Sequence, residues 1–168
     1  MSDTAAPRGG PLVVGLGSPD QGDDAVGLEV ARAVEALGLP EVHTAVHEDP
    51  TALMHLWEGF DVVVVVDAVM TGRPPGAITV IEVGAGRPQL PPEAWAATGR
   101  GGTHAFGLAT AVELARVLGR LPGRVTVVGV EAASFAPGTA LSPEVAASVD
   151  DAVAIVGAVA RDRVRSAA

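Results

Sequence analysis

The amino-acid sequence predicts a three-layer α/β/α single domain with a twisted, mainly parallel sheet of about five strands. Apolar runs typical of strands alternate with segments of helical periodicity, and this order indicates strands joined by crossover helices. The clearest strand, at residues 60–67, holds five consecutive valines without polar alternation, as expected of a strand covered on both faces. The 168 residues are 48% hydrophobic, which is enough apolar material for one packed core.

The N-terminal half of the chain contains two more strand patterns and two helical ones. Residues 11–17 form a short apolar run that ends in glycines, which suits a buried first strand. Apolar side chains recur at helical spacing over residues 26–37, and Gly38 is the expected stop. A second strand is predicted at residues 42–47, followed by a short helix at residues 51–58.

After the central strand, residues 77–83 alternate like a further strand, which we expect at an antiparallel edge of the sheet. Residues 84–103 are rich in Gly, Pro and Ala and predict a long loop that is functional or mobile. A helix at residues 106–118 and a buried strand at residues 124–130 follow. Ser142 then predicts the cap of a last helix that runs to about residue 163.

Charge and cysteine content exclude several classes of function. Acidic residues number 20 and basic residues 11, giving a net charge of −9, so the chain lacks the basic surface that a phosphate backbone or an anionic membrane requires. We therefore expect no nucleic-acid partner and no membrane partner. The absence of cysteine leaves carboxylate, imidazole and carbonyl groups as the metal ligands of this chain.

The domain organisation is expected to be simple. Residues 1–10 are polar and small and predict a flexible N-terminal tail without the pattern of a secretory signal, while residues 11–168 form a single domain. The longest aliphatic run, residues 62–66, is far shorter than the roughly 20 residues of a membrane span. These features favour a soluble cytoplasmic monomer.

Three polar residues stand where a parallel sheet usually binds its ligands, beyond the carboxyl ends of the strands. Asp24 lies between the first strand and the first helix, Asp67 follows the five valines, and His104 stands where the long loop meets a helix. We expect them to converge on one cation, because two oxygens and one imidazole suit Zn, Ni, Mn or Fe. Taken singly, each residue also fits an ordinary structural role, as the cap of a helix or a turn at a strand end.

The other polar residues near this edge carry weaker signals. His43, His47 and His55 have no acidic partner at a metal-binding spacing, so we expect them to be structural or solvated. Glu48 and Asp49 end the second strand and could shape a pocket, although a polar turn before a proline explains them as well.

The glycine turn after the first strand, Gly15-Leu-Gly-Ser-Pro-Asp20, begins like a dinucleotide-binding fingerprint. An aspartate stands where the third glycine belongs, and its charge would repel a pyrophosphate. The sequence also lacks a P-loop, a serine-hydrolase elbow and a zinc-protease helix motif.

The longer segment Gly15-Leu-Gly-Ser-Pro-Asp-Gln-Gly-Asp-Asp-Ala-Val-Gly27 resembles the G-x-G-N-x-x-x-x-D-(E/D)-G-x-G opening of the maturation endopeptidases of [NiFe]-hydrogenases. The resemblance continues, in the family's order and spacing, through Val-Val-Asp67-Ala-Val, Thr103-His104-Ala-Phe-Gly107, Val128-Gly-Val-Glu131 and Leu141-Ser-Pro-Glu-Val145. It covers the chain from residue 12 to about residue 159.

This resemblance implies a phosphorylase/hydrolase-like fold and an endopeptidase that removes the C-terminal extension of a [NiFe]-hydrogenase large-subunit precursor after nickel insertion. It implies that Asp24, Asp67 and His104 are both the catalytic and the metal-contacting residues. Nickel is then supplied by the precursor, and a divalent metal such as Zn is the alternative. Three positions depart from the family pattern. Asp24 replaces a usual glutamate, which could move the metal or change how it is bound, and Ser18 replaces an asparagine. Glu48-Asp-Pro-Thr51 replaces a D-G-G-T segment, which affects the path of the substrate tail and the choice of hydrogenase.

Two other functions remain open from the sequence. One is a peptidyl-tRNA hydrolase-like esterase, which shares the strand leading into Gly-x-Gly but acts on a polyanion that a chain of net charge −9 disfavours. The other is a chaperone that binds nickel or the precursor without cleaving it, because no nucleophile stands out. For a peptidase, Asp23, Glu48 or Asp49 could serve as the general base.

Overall fold

The structure, a computed structural model, describes residues 8–89 and 102–167. The strands are β1 (Leu12–Leu16), β2 (His43–His47), β3 (Val62–Val69), β4 (Ile78–Val83) and β5 (Arg124–Glu131). The helices are α1 (Val26–Ala36), α2 (Leu53–Leu56), α3 (Gly102–Val117) and α4 (Pro143–Ala167), and short 3-10 turns at Gly22–Ala25 and Pro50–Ala52 precede α1 and α2.

One five-stranded sheet organises the fold, with the strand order β2-β1-β3-β5-β4. Neighbouring strands are parallel except β4, which pairs antiparallel with β5 at one edge. The valine run forms β3 at the centre of the sheet, where both faces are covered, and its unbroken apolar pattern follows from that position. The predicted fold class and the antiparallel edge strand are confirmed.

Helices cover both faces of the sheet and divide the apolar core in two. One face is covered by α2 and α3, which pack against alternate residues of β1, β3 and β5. Leu53 belongs to α2, Trp57 caps its C-terminus, and Leu108 belongs to α3. On the other face, α1 and α4 supply residues such as Val30 and Val156. Each fully buried aliphatic side chain contributes about 1.5–3 kcal/mol relative to exposure, so the two layers together hold the sheet in register.

Several boundaries differ from the sequence-based expectation. The third helix begins at Gly102, four residues before the predicted start, so His104 lies inside its first turn rather than in the preceding loop. Strand β3 continues to Val69, so Asp67 stands within a strand and not just beyond it. Leu37, expected on the buried face of α1, is 53% exposed because the helix has already ended at Ala36.

Parts of two predicted segments lie outside the described residues: residues 1–7 of the N-terminal tail and residues 90–101 of the long loop. Of the tail, Arg8 donates its backbone N–H to the Gly59 carbonyl over 2.7 Å and places its guanidinium 5.5 Å from the centre of the Phe60 ring. Within the described ranges, no helix is long and apolar enough to cross a bilayer.

Candidate active site

The glycine turn between β1 and α1 brings backbone into very close contact with backbone. Gly17 adopts a φ of 136°, and a Cβ atom there would lie 1.8 Å from the Asp24 carbonyl oxygen. A Cβ atom on Gly27 would lie 2.2 Å from the Leu16 carbonyl oxygen and 2.5 Å from that of Val66. The glycines therefore allow the Gly22–Ala25 turn and α1 to pack directly against β1 and β3. This close packing accounts for the glycines of the motif without a phosphate ligand.

This packing places Asp24 over the carboxyl edge of the sheet. Its side chain is buried, and Oδ2 accepts a hydrogen bond of 2.8 Å from the backbone N–H of Ser18. Because the donor is backbone, this contact does not depend on the side chain at position 18. The contact therefore survives the replacement of the family's asparagine by Ser18.

Asp67 is the most perturbed carboxylate of the described residues. It is 1% exposed, and its Oδ1 has no hydrogen-bond partner within the described part of the chain. Burial, together with the negative charge of Asp24, raises the pKa of Asp67 to about 8, and a hydrogen bond from the Ala68 backbone opposes them in part. The pair thus has a surplus of negative charge at the sheet edge, which a proton on Asp67 or a bound cation would neutralise.

His104, the third predicted ligand, lies in the first turn of α3, but its side chain is outside the described residues. Among the side chains that are described, no group of three His, Asp or Glu residues is placed to hold a metal ion. The structure therefore brings Asp24 and Asp67 together, and the complete trio stays a prediction.

Asp23 has a structural role that the sequence did not indicate. It is 1% exposed and accepts hydrogen bonds from the backbone N–H groups of Ala133 (2.8 Å), Ser134 (3.0 Å) and Ser142 (2.6 Å), and from the Ser142 hydroxyl (3.0 Å). Four donors occupy the acceptor sites of this carboxylate, so its contacts are those of a loop anchor. The helix-cap interpretation of Asp24 is wrong, because its side chain bonds to the Ser18 N–H and to no free N–H of the helix that follows.

Glu131, at the end of β5, is a second carboxylate of this kind. Its side chain is buried and accepts hydrogen bonds from the backbone N–H groups of Thr71 (2.7 Å) and Gly72 (2.9 Å) and from the Thr71 hydroxyl (2.7 Å). It fixes the turn that follows β3, just beyond the end of the strand that carries Asp67. Its partners lie about 60 positions away along the chain, so no local pattern could have indicated them.

The weaker candidates have ordinary structural roles. Asp49 caps the 3-10 turn Pro50–Ala52 by accepting a hydrogen bond of 2.8 Å from the Thr51 N–H. His47 Nδ1 accepts one of 3.0 Å from the Asp49 N–H, and His43 stacks edge-on against Phe60. His55, like Glu48, is exposed.

The described residues form a doubly wound α/β domain with two buried carboxylates at the carboxyl edge of its sheet, which is where such domains bind their ligands. A family model described as hydrogenase maturation protease (HycI) matches residues 48–159, and the chain belongs to this family. It is accordingly a hydrolase of peptide bonds.

Individual relatives agree with this assignment. The chain is similar to the hydrogenase 2 maturation protease of Escherichia coli strain K12, with 27% identity over 155 residues that cover 90% of each chain. It is also similar to the structure of the E. coli hydrogenase maturating endopeptidase HybD, with 25% identity, a TM-score of 0.71, and coverage of 91% of this chain and 93% of that one. HybD from Thermococcus kodakarensis, at 22% identity and a TM-score of 0.72, covers 89% of this chain and 98% of its own and supports the fold.

Proposed function

We propose that this protein removes the C-terminal extension of a [NiFe]-hydrogenase large-subunit precursor, and that it acts only after nickel has been inserted. The nickel of the precursor is the recognition element, contacted by Asp24, Asp67 and His104. The cleavage is then an aspartic-type reaction that takes place in the cytoplasm, with the peptidase as a monomer and the precursor as its partner.

One observation carries the proposal: the buried Asp67 carboxyl has an oxygen without a partner among the described residues, beside the charge of Asp24. Leaving a buried acceptor unsatisfied costs about 1–3 kcal/mol, and such groups are usually paired in proteins that do not use them. A cation presented by the substrate would neutralise both carboxylates at once. Oxygen and imidazole donors without thiolate suit transient contact with a nickel ion that the precursor retains.

The residues of the site divide the work. Asp24 is held by the Ser18 N–H, and Asp67 is held by β3, so both carboxylates are oriented before the substrate arrives. A nickel ion in the bound precursor would supply positive charge next to the scissile segment. A divalent metal such as Zn²⁺ bound by the same trio is the alternative source of that charge.

The overall charge of the chain agrees with a protein partner. A net charge of −9 without lysine gives no basic stripe for RNA, which disfavours the esterase alternative.

The test compares nickel-loaded and metal-free precursor as substrates. Wild-type protein is expected to shorten only the loaded precursor, and Asp24→Asn, Asp67→Asn and His104→Gln are each expected to lower the rate at least about a hundredfold, as is usual when a charge-stabilising group is lost. Intact-mass measurement before and after incubation detects the cleavage directly. A chaperone would leave the mass of the polypeptide unchanged.

Asp151→Asn is the matched control, since it makes the same chemical change at an exposed position of α4. Its rate is expected to equal that of the wild type. Processing of the metal-free precursor at the rate of the loaded one would refute the role of nickel, and folded site variants that keep the wild-type rate would refute the residue assignment.

A further inference from the structure

The outer edge of β2 has two properties that set it apart from the opposite edge of the sheet. It carries no charged residue or proline that would hinder the addition of a strand, and it lies close to the candidate active site. In the described part of the chain, β2 pairs only with β1. Its sequence, His-Thr-Ala-Val-His, contains no Asp, Glu, Lys, Arg or Pro. The opposite edge strand, β4, carries the Glu82–Arg87 ion pair and the Arg73 contact to Thr79, and charged side chains of this kind normally protect sheet edges from added strands.

The hydrogen bonds to β1 establish which backbone groups of β2 face outward. The His43 N–H donates to the Pro11 carbonyl over 2.9 Å, and the His47 carbonyl accepts from the Gly17 N–H over 3.1 Å. Because backbone groups alternate along a strand, residues 43, 45 and 47 point toward β1. Thr44 and Val46 therefore direct their N–H and carbonyl groups away from the sheet, where an extended peptide could pair with them.

Side-chain space beside this edge suits a peptide as well. A cavity of about 300 Å³ lies between the end of α1 and β2, lined by residues that include Val34, Leu39 and Thr44. Val46, the next residue with the same orientation as Thr44, is 42% exposed. An added strand would place alternate side chains over these positions.

The edge is joined to the site through the Gly17–His47 hydrogen bond, because Gly17 also contacts the turn that carries Asp24. Strands in a sheet are spaced about 4.8 Å apart, so a strand added to β2 would lie about 14 Å from β3, which carries Asp67. About four extended residues, at roughly 3.3 Å each, cover that distance. A peptide held on β2 can thus reach the paired carboxylates.

We infer that β2 is the docking strand for an extended segment of the substrate, which adds to the sheet as a sixth strand about four residues from the scissile bond. This inference rests on the proposed function, since it takes the occupant to be a segment of the large-subunit precursor. A second copy of this chain is a poorer occupant. A strand of five residues with two outward-facing residues offers far less than the roughly 1,000 Å² of contact that a stable dimer needs.

Two substitutions test the edge without disturbing the bonds between β2 and β1. Thr44→Pro removes one outward N–H, and Val46→Lys places a charge on the edge. Each is expected to raise KM for the nickel-loaded precursor about tenfold with kcat little changed, because the proline removes one peptide hydrogen bond and the lysine charge opposes the addition of a strand. Val80→Lys is the matched control on β4, since Val80 is 47% exposed, and it is expected to leave KM unchanged.

Amide hydrogen exchange tests binding without cleavage, and so separates this inference from the proposed function. A synthetic peptide that spans the cleavage site and the extension of the precursor is expected to slow exchange at Thr44 and Val46 and to leave the already bonded Ala45 unchanged. If the peptide protects neither amide, or if wild type processes the precursor while Val46→Lys keeps the same KM, the docking strand is refuted. Protection that depends on protein concentration without peptide would assign the edge to a second copy instead.

Discussion

The buried carboxyl of Asp67 predicts that removing its charge stabilises the protein when no metal is bound. Its pKa of about 8 in the folded state compares with an ordinary value of 3.8. The folded protein therefore retains a proton that the unfolded chain has lost throughout this interval. Stability is full below pH 4 and falls as the pH rises toward 8, because the folded state binds more protons than the unfolded one.

Asp67→Asn removes this dependence, since the amide has nearly the shape of a protonated carboxyl and does not ionise. Between the ordinary pKa and pH 7 lie about three pH units, each worth about 1.4 kcal/mol, so the variant should exceed the wild type by about 4 kcal/mol at pH 7. At pH 5 the expected excess is about 1–2 kcal/mol. The gain expected at pH 7 is a substantial fraction of the roughly 5–15 kcal/mol that typically separates folded from unfolded states.

The assay is urea unfolding of wild type and variant at pH 5 and pH 8, in the presence of a chelator, followed by far-UV circular dichroism. Asp151→Asn provides the control for a general effect of the net charge, because it removes one negative charge from an exposed position. The gain of Asp67→Asn over wild type should increase with pH, while the effect of Asp151→Asn should change little. An equal gain at both pH values, or a less stable variant at pH 8, would falsify the account of Asp67 given above.

Three further predictions concern the surroundings of this carboxyl. Asp24→Asn should lower the pKa of Asp67 yet leave it above 3.8, because burial remains after the neighbouring charge is gone. ¹³C NMR titration of the Asp67 carboxyl measures this pKa, and an unchanged value would contradict the effect of the Asp24 charge. Asp23→Ala should lower the free energy of unfolding by about 3–5 kcal/mol, because it leaves four donors without their acceptor. Urea denaturation measures this loss, and Asp20→Ala, which removes an exposed aspartate, is the control. Gly27→Ala should reduce the free energy of unfolding by at least about 2 kcal/mol, because the added methyl group would clash with two carbonyl oxygens. Gly38→Ala is the comparison, since a methyl group there meets open space and only the backbone conformation is strained.

The sequence predicted the sheet well because its evidence is local. Five consecutive valines predict a strand buried on two faces, and the structure places that strand at the centre of the sheet. Alternation at residues 77–83 predicts a strand buried on one face, and the structure places it at an edge. The start of α3 was predicted too late because Gly102 and Thr103 are weak helix formers, so the apolar pattern becomes visible only at Phe106. Asp67 was placed at a strand end because a polar residue after valines suggests a turn, whereas pairing with β5 extends β3 to Val69.

The candidate site was predictable in part. Asp24 and Asp67 could be found from the rule that parallel strands present ligand-binding residues at their carboxyl ends, and from the family resemblance. The roles of Asp23 and Glu131 could not be found in this way, because their hydrogen-bond partners lie between 59 and 119 positions away in the chain. A buried carboxylate that anchors a loop and one that contacts substrate look alike in sequence, and only the count of their donors separates them.

The position of β5 in the sheet also governs the order in which the molecule can be completed during synthesis. Strand β5 lies between β3 and β4, although it follows both in the chain. Until residues 124–131 have left the ribosome, β3 has one open edge and β4 has no neighbouring strand. The hydrogen bond from the Ser142 N–H to Asp23 forms later still, because Ser142 is synthesised after β5. The strand pairing beside Asp67 and the loop contacts of Asp23 therefore reach their final arrangement only when the last helix is being made.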